Sequence, residues 1–193
     1  VTGLFPVGYN LKENRYHGGD HVSCGQAMFC FAKAINQARK NKLYRTEKWS
    51  TFLKKVCDAQ AKRILSDQWN SKSTAECFYI APLVLASKLL KNKDYVKAAI
   101  KIADDCYNKY HDLTQGCYWG GTLDASCEDK EGAIAAFQGY LALYELLGEE
   151  EYLLKAKHAM DVCLSYVVVW RIPLPAGRPV SYTHLRAHET DSY

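Results

Sequence analysis

The densest group of chemically versatile side chains lies between residues 118 and 132, which read YWGGTLDASCEDKEG. This segment combines two adjacent aromatic residues, a Gly-Gly turn and four acidic residues, directly before or within the first turn of a predicted helix. Cleavage of a glycosidic bond requires one carboxyl group as an acid and a second as a base or nucleophile, and a planar aromatic ring can stack on a sugar. The segment therefore predicts three catalytic carboxylates, which are Asp124, Glu128 and Asp129. It also predicts two aromatic residues that contact the substrate, Tyr118 and Trp119.

Acidic residues at the start of a helix also have a purely structural interpretation. Carboxylates in the first helical turn are favoured by the helix dipole and by capping hydrogen bonds. Asp129 is compatible with either role. Asp124 lies outside the predicted helix and beside the Gly-Gly turn, so its position favours a functional role.

A second loop repeats this arrangement between residues 16 and 26, which read YHGGDHVSCGQ. We expect Asp20 and His21 to bind substrate here, and Trp69 to contribute from the corresponding loop of a third unit. A relic of an internal repeat would produce the same similarity between the two loops.

His17 and His21 are four residues apart, a spacing that would suit a metal ion only on a helix. The Gly-Gly pair between them argues against a helix there. The sequence therefore predicts neither a metal nor a cofactor.

Three helical hairpins are predicted to position these loops. A Ser followed three residues later by an acid or amide, typical of a capping box, occurs at 23–26, 73–76 and 126–129. Each precedes an apolar stretch with helical spacing, and second helices are predicted at 48–66, 94–110 and 150–168. The first helices are apolar nearly all round, which indicates an inner layer, and the second helices present charges on one face, which indicates an outer layer. A tetratricopeptide array repeats every ~34 residues and does not fit this spacing.

Composition excludes several classes of protein. The chain has 193 residues, of which 48% are hydrophobic and 24% charged, as in a globular domain rather than a disordered one. The 25 Lys and Arg are interspersed with 21 Asp and Glu, so we expect no nucleic-acid partner. No apolar run reaches the ~18 residues of a membrane span, so we expect no membrane partner. Cysteines that pack as buried thiols favour a reducing compartment, and we expect a cytoplasmic location.

Eight cysteines occur without a CxxC pair, and their spacing is wide. Cys57, Cys106 and Cys163 fall on the apolar faces of predicted helices, which indicates buried thiols more than disulfides or metal ligands. Cys127 follows a predicted capping Ser, where the helix dipole would favour a thiolate, so a nucleophilic or zinc-binding role there remains an alternative.

The C-terminal segment departs from the rest in composition and periodicity. Residues 179–190 read PVSYTHLRAHET, which is an in-frame translation of a transposase-end adapter used in sequencing libraries. We therefore interpret 179–193 as a non-native tail, and 1–178 as a partial domain that is truncated at both ends.

The capped inner helices, the 118–132 segment and the hairpin YLALYELLGEEEYLLKAKHAMD at 140–161 resemble the six-hairpin glycosidase superfamily, in a bacterial branch. The resemblance implies an all-α fold in which three helical hairpins form about half of an (α/α)6 toroid. It also implies a glycoside hydrolase that acts on oligosaccharides or polysaccharides by carboxylate acid/base catalysis.

Two other functions fit the same elements. A sugar epimerase of the N-acylglucosamine 2-epimerase kind shares the toroid but uses histidines as acid and base. Only four histidines precede the tail, and none is predicted within an inner helix, which counts against this alternative. A non-catalytic helical-hairpin scaffold that binds glycans or peptides would use the loop aromatics equally well.

Overall fold

The computed structural model describes residues 6, 8–19, 21–42, 44–112, 118 and 128–167. A hairpin of two short antiparallel strands, β1 (Gly8–Asn10) and β2 (Arg15–His17), comes first and places Tyr9 opposite Tyr16. Within the described residues a short 3₁₀ helix, Thr74–Tyr79, leads directly into the third of six α-helices. The α-helices are α1 (His21–Asn41), α2 (Glu47–Ile64), α3 (Ile80–Leu90), α4 (Lys93–Tyr110), α5 (Lys130–Leu147) and α6 (Glu150–Ser165).

The helices form three hairpins in two layers, and the predicted all-α fold is confirmed. Each odd-numbered helix packs against the next helix along the chain. The 3₁₀ helix and α3 also contact both α1 and α5, whereas α2 packs against α4. Helices α1, α3 and α5 therefore form the inner layer, and α2, α4 and α6 form the outer layer. Closure of such hairpins into a toroid stays a prediction.

Local sequence explains where the helices begin and end. In α3 the first five residues are all buried, including Pro82, whose missing N–H costs little in a first helical turn. Asn92 caps α4 by accepting a hydrogen bond from the Asp94 N–H at 3.0 Å. Gly148 ends α5 with a φ of +75°, a left-handed conformation that favours glycine. The outer helices begin and end no more than three residues from their predicted bounds.

The three predicted capping boxes do not form as predicted. Helix α1 begins at His21, so Ser23 lies inside it; Val22 packs on the core and stabilises the earlier start. Ser73 does cap the 3₁₀ helix, since its hydroxyl accepts from the Ala75 N–H at 3.3 Å. In the third case the cap is Asp129, and Ser126 lies outside the described residues.

Two inner-helix glycines allow the inner layer to pack closely. A Cβ atom on Gly25 of α1 would lie 2.4 Å from the Phe78 Cβ, and one on Gly139 of α5 would lie 2.7 Å from the Ile80 Cβ. Any larger residue would force these helices apart. The glycines therefore set the spacing of α1 and α5 on either side of α3.

The described cysteines are free thiols, as predicted. Cys24, Cys57, Cys77 and Cys106 are buried between the two layers, Cys163 is half-buried and Cys30 is exposed. Burial, followed by the nearby charge of Asp58, raises the pKa of the Cys57 thiol to about 12. Burial therefore keeps the Cys57 thiol protonated and unreactive. Cys117 and Cys127 lie outside the described residues.

Candidate functional site

The beginnings of the three inner helices lie at one end of the helical layers. The inner helices run in the same direction because each is followed by an antiparallel outer helix. We call this end the rim. Its described residues include His21, Thr74, Glu76, Tyr118, Glu128 and Asp129. Direct contacts join His21 to Glu76 and Thr74 to Tyr118.

His21 is the first residue of α1, so the prediction that no histidine lies in an inner helix is wrong. Its Nδ1 is 2.9 Å from the Tyr79 hydroxyl, and its Nε2 is 3.8 Å from Glu76 Oε1. Burial raises the pKa of Tyr79 far above its ordinary value, so this hydroxyl keeps its proton. The His21 side chain remains 35% exposed and is therefore both oriented by protein groups and accessible from solvent.

Glu76 forms a buried ion pair instead of the predicted capping contact. Its two carboxylate oxygens accept hydrogen bonds from Arg63 Nη1 and Nη2 at 2.9 and 2.6 Å. Arg63 also donates from Nε to Gln60 Oε1 at 2.8 Å, and its guanidinium lies 5.5 Å from the centre of the Tyr79 ring. A bidentate guanidinium contact is stronger than a capping hydrogen bond to a neutral N–H. The pair fixes the end of α2 to the 3₁₀ helix.

Asp129 is the N-cap of α5, as the structural interpretation of its position predicted. Its Oδ1 accepts from the Glu131 N–H at 2.9 Å, and its carbonyl accepts from the Ala133 N–H at 3.0 Å. The residue is only 6% exposed, and its Oδ2 is buried with no hydrogen-bond partner among the described residues. One oxygen thus stabilises the helix, and the other has no acceptor contact within the part of the chain that the structure describes. The catalytic role of Asp129 stays a prediction.

Glu128 precedes this cap and its side chain is exposed. Its carbonyl accepts a hydrogen bond from the Tyr166 hydroxyl at 3.2 Å, which ties the rim to the end of α6. Three further residues predicted to form the site lie outside the described residues. They are Asp20, Trp119 and Asp124.

Tyr118 is buried and is held by three parts of the fold, although it was predicted to contact substrate. Its N–H donates to the Tyr110 carbonyl at 2.8 Å, and its carbonyl accepts from the Thr74 hydroxyl at 2.9 Å. Its hydroxyl is 2.8 Å from Nδ1 of His158 on α6. The described contacts direct this hydroxyl toward the outer layer and make the residue an anchor of the segment that precedes α5.

Trp69 lies in the loop between α2 and the 3₁₀ helix and is half-buried. The Lys101 ammonium of α4 stands 5.5 Å from the centre of its ring, and its buried Nε1 has no hydrogen-bond partner in the described ranges. The same loop is fixed to α4 because the Ser71 N–H donates to Asp105 at 2.8 Å. Trp69 therefore packs toward an outer helix in this structure.

A groove of about 250 Å³ lies between the three inner helices and was not anticipated from the sequence. None of the residues predicted to form the site lines it within the described part of the chain. A sequence signal was nevertheless present, because Gln138 is a lone amide in the otherwise apolar stretch between Glu131 and Glu145 of α5. The groove is lined by Gly25, Gln26, Phe29, Cys30, Cys77, Phe78, Ala81, Pro82, Ile134, Ala135 and Gln138.

Among the described residues, no group of three His, Cys, Asp or Glu side chains is close enough to hold a metal ion. None of the described helices combines the length and apolar character needed to cross a bilayer.

The chain matches no protein-family model, no curated protein and no solved structure.

Proposed function

We propose that this chain forms part of a carbohydrate-active enzyme of the six-hairpin type, a glycoside hydrolase that acts on oligosaccharides or polysaccharides. The observation that supports the proposal is the rim. There the starts of three parallel inner helices hold an oriented imidazole, His21, and a buried carboxylate, Asp129, one of whose oxygens has no partner among the described residues. A separate groove lies between the same helices.

In the proposed reaction, two carboxyl groups of the rim act as acid and as base or nucleophile. Asp124 and Glu128 carry these roles, since the first precedes α5 in the sequence beside the Gly-Gly pair and the second has an exposed side chain. Asp129 combines its capping contact with acceptance of a substrate hydroxyl at Oδ2. The separation of the two acting carboxyls sets the outcome: about 5–5.5 Å gives retention and about 6.5–9.5 Å gives inversion.

The test measures products released by the full chain from a panel of neutral and acidic oligosaccharides, by chromatography and mass spectrometry. We expect release of shorter sugars that is abolished by Asp124→Asn and reduced in Asp129→Asn, since Asn keeps the helix cap but replaces one acceptor oxygen by a donor. Full activity in Asp129→Asn would leave that residue with the capping role alone. Running the reaction in D₂O distinguishes hydrolysis from 2-epimerisation, because only epimerisation places carbon-bound deuterium at C2. Full activity in Asp124→Asn would overturn the assignment of that residue.

A non-catalytic scaffold that binds glycans is the second candidate. It is favoured by the groove itself, whose described lining contains apolar side chains and amides but no carboxylate. Sugar binding by the full chain without release of products, with unchanged affinity in Asp124→Asn, would support this candidate over the hydrolase. Absence of both binding and release would overturn both candidates.

A further inference from the structure

The groove lies between the inner helices, beyond the helix starts that form the rim. Gln26 lies about one and a half helical turns beyond His21, and Gln138 about two and a half turns beyond Asp129, or about 8 and 14 Å along the helix axes. The groove is therefore a separate compartment below the rim groups. Its volume of about 250 Å³ is smaller than the ~300–1,000 Å³ of pockets for drug-sized ligands, so it suits one ring rather than a longer chain.

The walls of the groove have a defined polarity. Apolar surfaces come from all three inner helices, including Phe29 of α1, Pro82 of α3 and Ile134 of α5. The polar side chains are two exposed amides, Gln26 from α1 and Gln138 from α5, the two helices that pack on either side of α3. An amide presents both a donor and an acceptor, which matches the hydroxyl groups of a sugar.

Charge also limits the ligand. Of the described lining residues, only the two cysteines are ionisable, and neither carries a positive charge. The Lys33 ammonium stands 5.2 Å from the centre of the Phe29 ring and is not part of the lining. A ligand carboxylate in this groove would lose water without gaining a guanidinium or ammonium partner, which is unfavourable.

We propose that the groove is a subsite for one uncharged, hydroxyl-bearing sugar ring, and that Gln26 and Gln138 determine its specificity. The class of ligand rests on the proposed function, whereas the position and polarity of the subsite come from the groove itself. The ring would stack its apolar face on the groove floor while the two amides contact hydroxyl groups at its opposite edges.

Cys30 provides a direct reporter of occupancy, because it lines the groove and is exposed. The full chain is treated with iodoacetamide, with and without cellotriose, maltotriose, mannotriose or tri-galacturonic acid. Alkylation of each cysteine is followed by peptide mass spectrometry. We expect at least one neutral trisaccharide to slow alkylation of Cys30 severalfold and to leave half-buried Cys163 on α6 unaffected, whereas tri-galacturonic acid protects neither.

The variants test the two amides. Gln26→Ala and Gln138→Ala should each raise the trisaccharide concentration for half-protection about two- to tenfold, which corresponds to the loss of one hydrogen bond. Gln37→Ala is the matched control, because Gln37 is an exposed glutamine on α1 that does not line the groove. It should leave protection unchanged.

The outcomes separate this proposal from the proposed function. Release of products without protection of Cys30 would overturn the subsite and leave the hydrolase intact. Protection without release would support the subsite and favour the binding scaffold. Equal protection by tri-galacturonic acid, or equal loss of protection in all three glutamine variants, would overturn the specificity assigned to the amides.

Discussion

Replacing Glu76 by Gln tests whether the buried ion pair stabilises the rim. The Glu76 side chain is 8% exposed and accepts two hydrogen bonds from Arg63, whose side chain is 31% exposed. Gln keeps the shape and one acceptor oxygen but removes the negative charge. The Arg63 guanidinium then remains largely buried with no opposite charge among the contacts described for it.

The magnitude follows from the burial of both partners. Removing one member of a fully buried ion pair costs about 3–5 kcal/mol. Arg63 retains contact with water and with Gln60, so we expect Glu76→Gln to lower the free energy of unfolding by about 2 kcal/mol. For a chain of this size this corresponds to a decrease in Tm of about 4–8 °C.

The assay is chemical and thermal denaturation of the full chain, with Asp94→Asn as a matched control. Asp94 pairs with Lys97 at 2.8 Å on the exposed surface of α4, so its replacement should cost less than about 1 kcal/mol. Arg63→Gln should also destabilise the protein, and the double variant should lose less than the sum of the two single losses. Equal effects of Glu76→Gln and Asp94→Asn, or strict additivity of the Glu76 and Arg63 variants, would refute a stabilising buried pair.

Three further predictions address the cap, the helix spacing and pH. Asp129→Ala should lower the free energy of unfolding by about 1 kcal/mol through loss of the Glu131 contact, and Asp129→Asn by clearly less; equal losses in denaturant melts would contradict the capping role. Gly139→Ala should cost about 1–3 kcal/mol because its Cβ meets Ile80, and Ile80→Ala should recover part of that specific loss in a double-mutant cycle. Burial, followed by the nearby His111, lowers the pKa of His158, so the unfolded chain takes up this proton first as the pH falls. The contribution of His158 to the free energy of unfolding should therefore be complete above about pH 6.5 and be lost as the pH falls below that value. Unfolding curves at a series of pH values test this, and the same decline in His158→Gln would assign the pH dependence to other groups.

Much of the fold was predictable from the sequence because it follows from local patterns. Apolar residues at helical spacing predicted the three hairpins and the division into inner and outer helices. Helix α5 begins at Lys130, three residues later than a cap at Ser126 predicts, because Asp129 is its N-cap. The buried thiols Cys57 and Cys106 were predicted by the same periodicity.

The partners of polar atoms depended on the tertiary structure. Glu76 was predicted to contact its own helix start but binds Arg63, and the Tyr118 hydroxyl reaches His158, forty residues along the chain. The groove required three helices to meet, and its two amides lie in different hairpins. Periodicity determines which face of a helix is buried, because burial of apolar surface depends on residue type and spacing. Which side chains then meet depends on the distance and register between helices, and these are set by close contacts such as Gly139 against Ile80.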